Sequence, residues 1–271
     1  MEAITEFWRD PAMPHAESRR SCHSRACYKP HSHPTFSIGA VDQGASVFTG
    51  AADGPVALRA GMLVFVPAHR VHACNPAPDS AWSYQMLHLD ASWLQAVRQE
   101  YAGPGIRYGA DEAIRIVHEP AVYARFCRLN ALLFASAHSQ DKEAALIEFI
   151  GECDGVDGMR VAPRAASPGR TRTLGPVLDF LRQTQAPDAA LIDLARLAGM
   201  SRYQLIRAFR AATGMTPHAW QLNERVNLAR ERLRAGEDIA QVAHGLGFAD
   251  QAHFQRVFKA HTGVTPGRYR A

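Results

Sequence analysis

One stretch of this chain is written twice, and the repeat limits what the carboxy-terminal part can fold into. The first copy runs from Leu194 to Ser201, continues through Leu205, Arg207, Phe209 and Arg210, and closes on Thr213, Gly214, Met215, Thr216 and Pro217. The second runs from Val242 to Phe248, continues through Asp250, Phe254, Arg256, Phe258 and Lys259, and closes on Thr262 to Pro266. Ala195 matches Ala243 and Gly199 matches Gly247 at an offset of 48; from Ser201 and Asp250 onward the offset is 49, so Ala249 is inserted. Two copies are too few for a solenoid.

Each copy reads as helix, tight turn, helix. Ala195 or Ala243 keeps the first helix slim where a second must cross. Gly199 or Gly247 supplies a turn with a left-handed backbone. Ser201 or Asp250 is a good N-cap for the next helix. That helix buries Leu205 and Phe209, or Phe254 and Phe258, on one face. Its other face carries Arg202, Tyr203, Gln204, Arg207 and Arg210 in the first copy, and Gln251, His253, Gln255, Arg256 and Lys259 in the second. An exposed Arg/Gln face suits DNA: Arg bonds guanine bidentately, Gln bonds adenine, and Lys and Arg contact phosphates. A plain helical bundle with solvated charges explains one such match as well as DNA reading does, but two matched copies favour reading. The expected DNA-contacting set is Ser201, Arg202, Tyr203, Gln204, Arg207, Arg210, Gln251, His253, Gln255, Arg256 and Lys259.

Charge follows the repeat. Residues 174–271 hold 13 Lys/Arg against 8 Asp/Glu, while residues 1–173 hold 17 against 18, so the net +4 lies in the repeated segment. A phosphate-binding face needs such local excess. No apolar run approaches the ~20 residues of a membrane span. Met1 to Arg20 contains Glu2, Glu6 and Asp10 and lacks the apolar core of a signal peptide. Five cysteines, Cys22, Cys27, Cys74, Cys127 and Cys153, are odd in number and lack paired metal-type spacing. Reduced thiols in a cytoplasmic protein are expected.

The preceding chain changes character twice. Residues 1–30 read as a partly ordered arm. Short runs at 36–41, 46–49, 57–58, 62–66 and 82–89 are expected strands, with turns at 50–54 and 103–105 and a loop from Asn75 to Ser80; they make a barrel or sandwich. Helical periodicity follows at 91–100, capped by Asp90, at 120–136 and at 144–153. The later helices pack on the barrel or against a second subunit, and a homodimer would link two DNA half-sites. Residues 154–173, rich in Gly, Pro, Ser and Arg, read as a linker. The expected architecture is therefore two domains. Residues 1–153 form a β-barrel or sandwich with packed helices, and 174–271 form an all-α tandem helix-turn-helix unit. Between the repeats, Pro217 to Arg234 reads as one helix, which at ~1.5 Å per residue spans ~30 Å, close to the ~34 Å between major grooves on one face of DNA.

The carboxy-terminal hundred residues resemble the AraC/XylS-type family of transcription regulators. The matching residues include Asp193 to Ala195, Gly199 to Ser201, Phe209 and Pro217. In the second copy they include Gly247, Phe248, Asp250, Gln251, Phe254, Arg256 to Lys259 and Gly263 to Pro266. The resemblance implies a seven-helix DNA-binding unit with base readers at Tyr203, Ile206 and Arg207, then at Gln251, Ala252, His253, Gln255 and Arg256. His31, His33 and the run Gly61 to His72 resemble the cupin-like sensor domain of such regulators. By that resemblance His31, His33 and His72 are candidate ligands of a divalent metal; the alternative is that they line an organic effector's pocket or face solvent. Trp82, Tyr84 and His88 on the later strand are further candidates for lining the effector site, and serve equally well as ordinary core residues. The glutamate of metal-binding cupins is missing; Ser37 and Ile38 stand near its place. Further strings, Phe36 to Gly39, Val71 to Pro76 and Trp82 to Tyr84, resemble regulators associated with amino-acid export and imply an amino-acid-like effector.

The expected function is sequence-specific regulation from double-stranded DNA, set by a small-molecule effector. The contrasting readings are a metal-dependent cupin enzyme carrying a nucleic-acid-binding domain, and a structural DNA-bending protein. No nucleophile triad, phosphate loop or dinucleotide fingerprint stands elsewhere in the chain, so no catalytic residues are expected.

Overall fold

The computed structural model describes residues 4–50, 54–101, 112–161, 168–183 and 189–270. The expected turn at 103–105 and the middle of the turn at 50–54 lie outside the described residues. The chain forms two compact units. The first comprises Met1–Ala26, His33–Arg70 and Cys74–Pro163; the second comprises Cys27–Ser32, Val71–Ala73 and Arg164–Ala271. Among the described residues, no helix is long and apolar enough to cross a membrane.

The first unit is built on antiparallel sheets. Its strands are β1 (Ile4–Arg9), β2 (Ala16–Ser24), β3 (Phe36–Gln43), β4 (Ala45–Thr49), β5 (Val56–Arg59), β6 (Leu63–Val66), β7 (Ala73–Pro76), β8 (Trp82–Leu89), β9 (Ile114–Val117) and β10 (Met159–Val161). Seven of them form a sheet in the order β1-β2-β8-β3-β6-β9-β10, and three form a second in the order β5-β4-β7. Gly44, at φ 75°, makes the turn from β3 into β4, where a Cβ would meet the Ala81 carbonyl at 2.6 Å. Helices α1 (Ala91–Tyr101), α2 (Pro120–Phe134) and α3 (Ser139–Asp154) complete the unit. Asp90 caps α1 as expected, its Oδ1 accepting from the Trp93 N–H at 2.8 Å.

One face of the large sheet carries Phe36, Ile38, Ala40, Leu63, Phe65, Leu87 and Leu89, which join Val122, Phe126, Leu129 and Leu133 of α2 and Leu146, Phe149 and Ile150 of α3 in one buried cluster. Each fully buried large side chain there contributes about 1.5–3 kcal/mol. Strict alternation along β3 and β8 therefore sends Ser37, Gly39, Val41, Tyr84, Met86 and His88 to the opposite face.

Three sequence expectations change here. The expected arm at 1–30 contains β1 and β2, and β2 lies inside the sheet against β8. Its sequence, AESRRSCHS, has no apolar period because its buried side chains beyond Ala16 are polar. Ser18 donates to the Met86 carbonyl at 3.1 Å and meets Asn130; Glu17 pairs with Arg9 at 2.8 Å; Arg20 lies 3.8 Å over the Phe134 ring. Within the expected loop at 75–80, Asn75 and Pro76 end strand β7, and β9 and β10 are additional strands. Within the expected linker 154–173, β10 spans Met159–Val161 and a helix begins at Pro168, while residues 162–167 lie outside the described residues.

The second unit holds seven helices among its described residues. They are α4 (Pro168–Gln183), α5 (Leu191–Leu197), α6 (Arg202–Thr213), α7 (Pro217–Arg234), α8 (Ile239–Gly245), α9 (Gln251–Thr262) and α10 (Pro266–Arg270). The repeat is visible bond by bond. Gly199 at φ 61° and Gly247 at φ 72° turn the chain. The Met200 N–H donates to the Ala195 carbonyl at 2.9 Å, and the Phe248 N–H donates to the Ala243 carbonyl at 3.0 Å, the closure expected after a left-handed residue. α6 and α9 then end alike on left-handed Gly214 and Gly263. Leu174, Val177, Leu194, Ala195, Leu205, Phe209, Met215 and Trp220 form the core of the first repeat. Phe254, Phe258 and Tyr269 stack edge-on in the second, with ring centroids about 5.4–5.5 Å apart.

Candidate nucleic-acid interface and effector site

The two expected reading helices present faces without acids: neither α6 (RYQLIRAFRAAT) nor α9 (QAHFQRVFKAHT) contains Asp or Glu. In α6, Arg202, Tyr203, Gln204, Arg207 and Arg210 are exposed, while Leu205, Ala208 and Phe209 hold the helix to its core. In α9, Gln251, Gln255, Arg256 and Lys259 are exposed over buried Phe254, Val257 and Phe258. Between the two, α7 has 18 residues, matching the expected length. Its start is fixed by Pro217 and by Thr216, whose hydroxyl accepts from the Ala219 N–H at 3.3 Å.

Local bonding gives the candidate readers different starting positions. Ser201 and Gln204 form a reciprocal capping box: Ser201 Oγ accepts from the Gln204 N–H at 3.2 Å, and Gln204 Oε1 accepts from the Ser201 N–H at 2.9 Å. These two side chains are therefore engaged in starting α6. Tyr203 is 67% exposed, and Arg207 donates to its hydroxyl at 3.2 Å, with the guanidinium 5.7 Å from the ring centre. The pair lies one turn apart. In α9, Asp250 caps the His253 N–H at 2.6 Å, and the His253 ring packs edge-on against Phe248 at 5.7 Å. His253 Nδ1 is buried without a hydrogen-bond partner, which leaves Nε2 as the atom able to meet a base or phosphate.

The expected effector and metal residues divide between the units. His31 and His72 belong to the helical unit and face one another across an isolated bridge, with their rings 4.7 Å apart. His31 Nδ1 bonds the Lys29 carbonyl at 2.8 Å. Desolvation, then the neighbouring His72, holds the His31 imidazole well below its ordinary pKa; His261 and Arg230 push the same way against the Lys29 carbonyl. The same segment runs on to Ser32. Asn223 of α7 accepts from the Ser32 N–H at 3.1 Å and donates to its carbonyl at 3.0 Å and its hydroxyl at 3.2 Å. Asn227 donates to that carbonyl at 3.1 Å.

His33, Trp82 and Tyr84 lie in the sheet unit. His33 Nε2 and His88 Nδ1 both contact the Ser37 hydroxyl, at 3.0 and 3.1 Å, and His33 Nδ1 bonds the Thr35 carbonyl at 2.9 Å. Tyr84 stacks on Trp82 with ring centres 4.2 Å apart, and the Arg19 guanidinium lies 5.3 Å from the Tyr84 ring centre. Arg19 was not visible as a site residue in the sequence. Only the pairing of β2 with β8, which sets Arg19 opposite Met86, brings it to the face of Tyr84. Asn223 was equally hidden, as one polar residue in a helical pattern.

Two known domain types match the chain. Residues 17–150 match the model of the AraC-like ligand binding domain, and residues 194–271 match a helix-turn-helix domain model. The uncharacterised helix-turn-helix transcriptional regulator YbfI of Bacillus subtilis is 24% identical over 227 residues, covering 82% of this chain and 80% of that protein. The transcriptional activator NphR of a Rhodococcus species is 36% identical over 112 residues, or 41% of this chain and only a third (33%) of NphR's length. Over the whole chain the fold is similar to that of ToxT from Vibrio cholerae. An apo ToxT point variant superposes with a TM-score of 0.58 at 14% identity, covering 100% of this chain and 97% of that one. A ToxT structure with an unsaturated fatty acid bound gives 0.57 at 13% identity, covering 99% and 94%. With the AraC-like ligand-binding domain model over residues 17–150 and the helix-turn-helix model over residues 194–271, the chain belongs to the AraC-type family of transcription regulators.

Proposed function

We propose that α6 and α9 enter successive major grooves of one duplex, and that a small organic molecule in the sheet unit sets how strongly they bind. The observation that carries the reading is the pair of exposed, acid-free faces at the two ends of an 18-residue helix. At ~1.5 Å per residue that helix matches one turn of DNA. Arg207 is the base reader of α6, and Arg202 and Arg210 face phosphates. Gln251, His253, Gln255 and Arg256 read from α9, with Lys259 on the backbone. Footprinting on a selected operator tests this. Protection of two groove segments about 10 bp apart per monomer is expected. Moving one sub-site by about half a helical turn should abolish specific binding, since it turns that site to the opposite face of the duplex. Protection of a single segment per monomer overturns the reading.

Homodimer formation fits the same scheme. α2 and α3 border a surface groove with Arg125 and Arg128 on one wall, Glu148 and Glu152 on the other, and Leu129 and Phe149 between them. Arg125 and Glu152 pair with each other across the groove at 3.0 Å, and the exposed Arg128 and Glu148 are the charges left to complement a second copy about a two-fold axis. Sedimentation at micromolar concentration tests it. Action in the cytoplasm accords with a DNA-directed role. Enzymatic activity is not part of the proposal, because metal-dependent cupin chemistry calls for a carboxylate beside the histidines. Near the place of that carboxylate stands Ser37, hydrogen-bonded to His33 and His88. The ToxT structure with a bound fatty acid supports an organic molecule as the effector.

A further inference from the structure

Two short segments from outside the repeat lie against the ends of both candidate reading helices. Cys27–Ser32 and Val71–Ala73 belong to the compact unit of the helices, although the chain on either side of each belongs to the sheet unit. The two segments pair with one another. The His31 N–H donates to the His72 carbonyl at 3.0 Å, the His72 N–H donates to the His31 carbonyl at 2.9 Å, and the two rings lie 4.7 Å apart.

Each segment then reaches a different reading helix. Val71 packs on the core of the first repeat and against Gly214, the left-handed residue that closes α6; a Cβ there would stand 3.2 Å from Val71 Cγ1. Tyr28 packs against Gly263, which closes α9 in the same way; a Cβ there would stand 2.8 Å from the ring carbon Cε1. The Lys29 N–H donates to the Ala260 carbonyl at 3.0 Å, one of the last-turn carbonyls that a helix leaves without a partner of its own. A third attachment is on α7, where Asn223 and Asn227, one turn apart, hold the Ser32 N–H, carbonyl and hydroxyl. The contacts on α6 and α9 are at their C-terminal ends, opposite the turns that carry Arg202, Tyr203 and Gln251. A helix of 12 residues is a stiff rod, ~18 Å long, so fixing its far end fixes where its reading end points.

We propose that the paired segments are a yoke that fixes the orientation of α6 relative to α9, with Val71, Tyr28 and Ser32 as its positioning residues. One arm bears on each reading helix, and the yoke is pinned to α7 between them. The repeat supplies the readers; the yoke supplies rigidity, so that operators with wrongly spaced sub-sites are rejected. Two linked modules of fixed geometry reinforce each other only where both sites fit, whereas loosely held ones tolerate a range of separations. This assignment rests on the reading of α6 and α9 as occupants of successive grooves of one duplex.

The test is binding of the full chain to a selected operator and to versions with one base pair inserted or removed between the sub-sites. Each change displaces a sub-site by about 3.4 Å and turns it by roughly 35°. The intact chain should lose at least about tenfold in affinity on the altered operators. The double variant Tyr28→Ala with Val71→Ala should lose less than about threefold, and should stay within about threefold of the intact chain on the unaltered operator. It should therefore bind the altered operators more tightly than the intact chain does, a gain that lost stability alone does not produce. Tyr28→Phe keeps the ring on Gly263 and should retain the steep spacing profile. Val71 is only half-buried, so Val71→Ala alone carries the test if the double variant does not fold, and it should flatten the profile in the same direction. A profile as steep as that of the intact chain in the alanine variants, at whatever absolute affinity, overturns the yoke and leaves the two-groove reading intact. An intact chain that is indifferent to spacing, or that protects a single groove segment, overturns the two-groove reading and the yoke with it.

Discussion

At the scale of single residues, the two copies of the repeat present different candidate reading faces. Arg207 is steadied by Tyr203, through a hydrogen bond and the ring face, while His253 is packed against Phe248 and offers one nitrogen. A guanidinium that is already oriented loses less freedom on meeting guanine. Arg207→Ala should relax specificity at one base pair and cost ~1–3 kcal/mol there. Tyr203→Phe should cost less. If Tyr203 acts through Arg207, adding Tyr203→Phe to Arg207→Ala should cost nothing further. Binding measured against all four base pairs at the affected position checks both points, and a uniform loss across sequences would make Arg207 a phosphate contact. His31 gives a second prediction at this scale. Its folded pKa is depressed chiefly by desolvation, with His72, His261 and Arg230 adding positive neighbours. The unfolded chain therefore binds a proton there that the folded chain refuses. The stabilising contribution is full above the ordinary histidine value of about 6.5 and is lost as pH falls below it. His261 is depressed by burial in the same direction. Melting temperature should fall between pH 7 and pH 5, and His31→Gln should flatten that slope. An unchanged slope in the variant would remove His31 from the explanation.

At the scale of elements, the sequence was most legible where one residue type has one use. Gly199 and Gly247 were readable as turns because their left-handed backbone, φ 61° and 72°, disfavours a side chain. Nothing lies within 4 Å of a Cβ at Gly199, so crowding is absent there and the backbone alone resists substitution. Gly199→Ala should accordingly cost about 1–2 kcal/mol in chemical unfolding, with α6 still able to bind DNA. A much larger loss would mean that the turn does more than reverse the chain. The strands β3, β6 and β8 were legible for a similar reason, since apolar alternation or a short apolar run between turns is the pattern a buried strand requires. β2 was not. Four of its five buried positions are polar, and three of them, Glu17, Ser18 and Ser21, find partners on β1, β8 and α2. A strand that satisfies its polar groups through distant partners leaves no periodic trace in its own sequence. Arg19 was hidden with it, and so was the packing of its guanidinium over the Tyr84 ring. The exposed faces of α6 and α9 were legible because exposure of Arg, Gln and Tyr on a short capped helix follows from local periodicity alone.

At the scale of the whole molecule, the division of the chain into units differs from its division along the sequence. Cys27–Ser32 and Val71–Ala73 lie within the stretch that reads as the sensor, but they cluster with the helices of the repeat. Tyr28 lies against Gly263, and a Cβ there would stand 2.5 Å from its hydroxyl. The Lys29 N–H donates to the Ala260 carbonyl at 3.0 Å, and Val71 packs on the core of the first repeat. Asn223 and Asn227 hold Ser32 by its backbone. The sequence implies that residues 174–271 are a self-sufficient DNA-binding fragment. In the structure they share a compact unit with these two short segments. A fragment spanning 164–271 keeps every candidate reader, so its ratio of operator to random-DNA affinity should stay close to that of the full chain. Its stability should be lower, at roughly 0.5–1.5 kcal/mol for each hydrogen bond lost with Ser32, beyond the apolar burial lost with Tyr28 and Val71. Asn223→Ala in the full chain isolates the polar part, since it strands the buried Ser32 N–H while leaving the segment in place. Urea unfolding followed on the helical unit should give the lowest midpoint for the fragment, an intermediate one for Asn223→Ala and the highest for the intact chain. A fragment midpoint equal to that of the intact chain would show that the two segments merely rest on the helices, and effector-dependent binding by the fragment would overturn the assignment of sensing to the sheets.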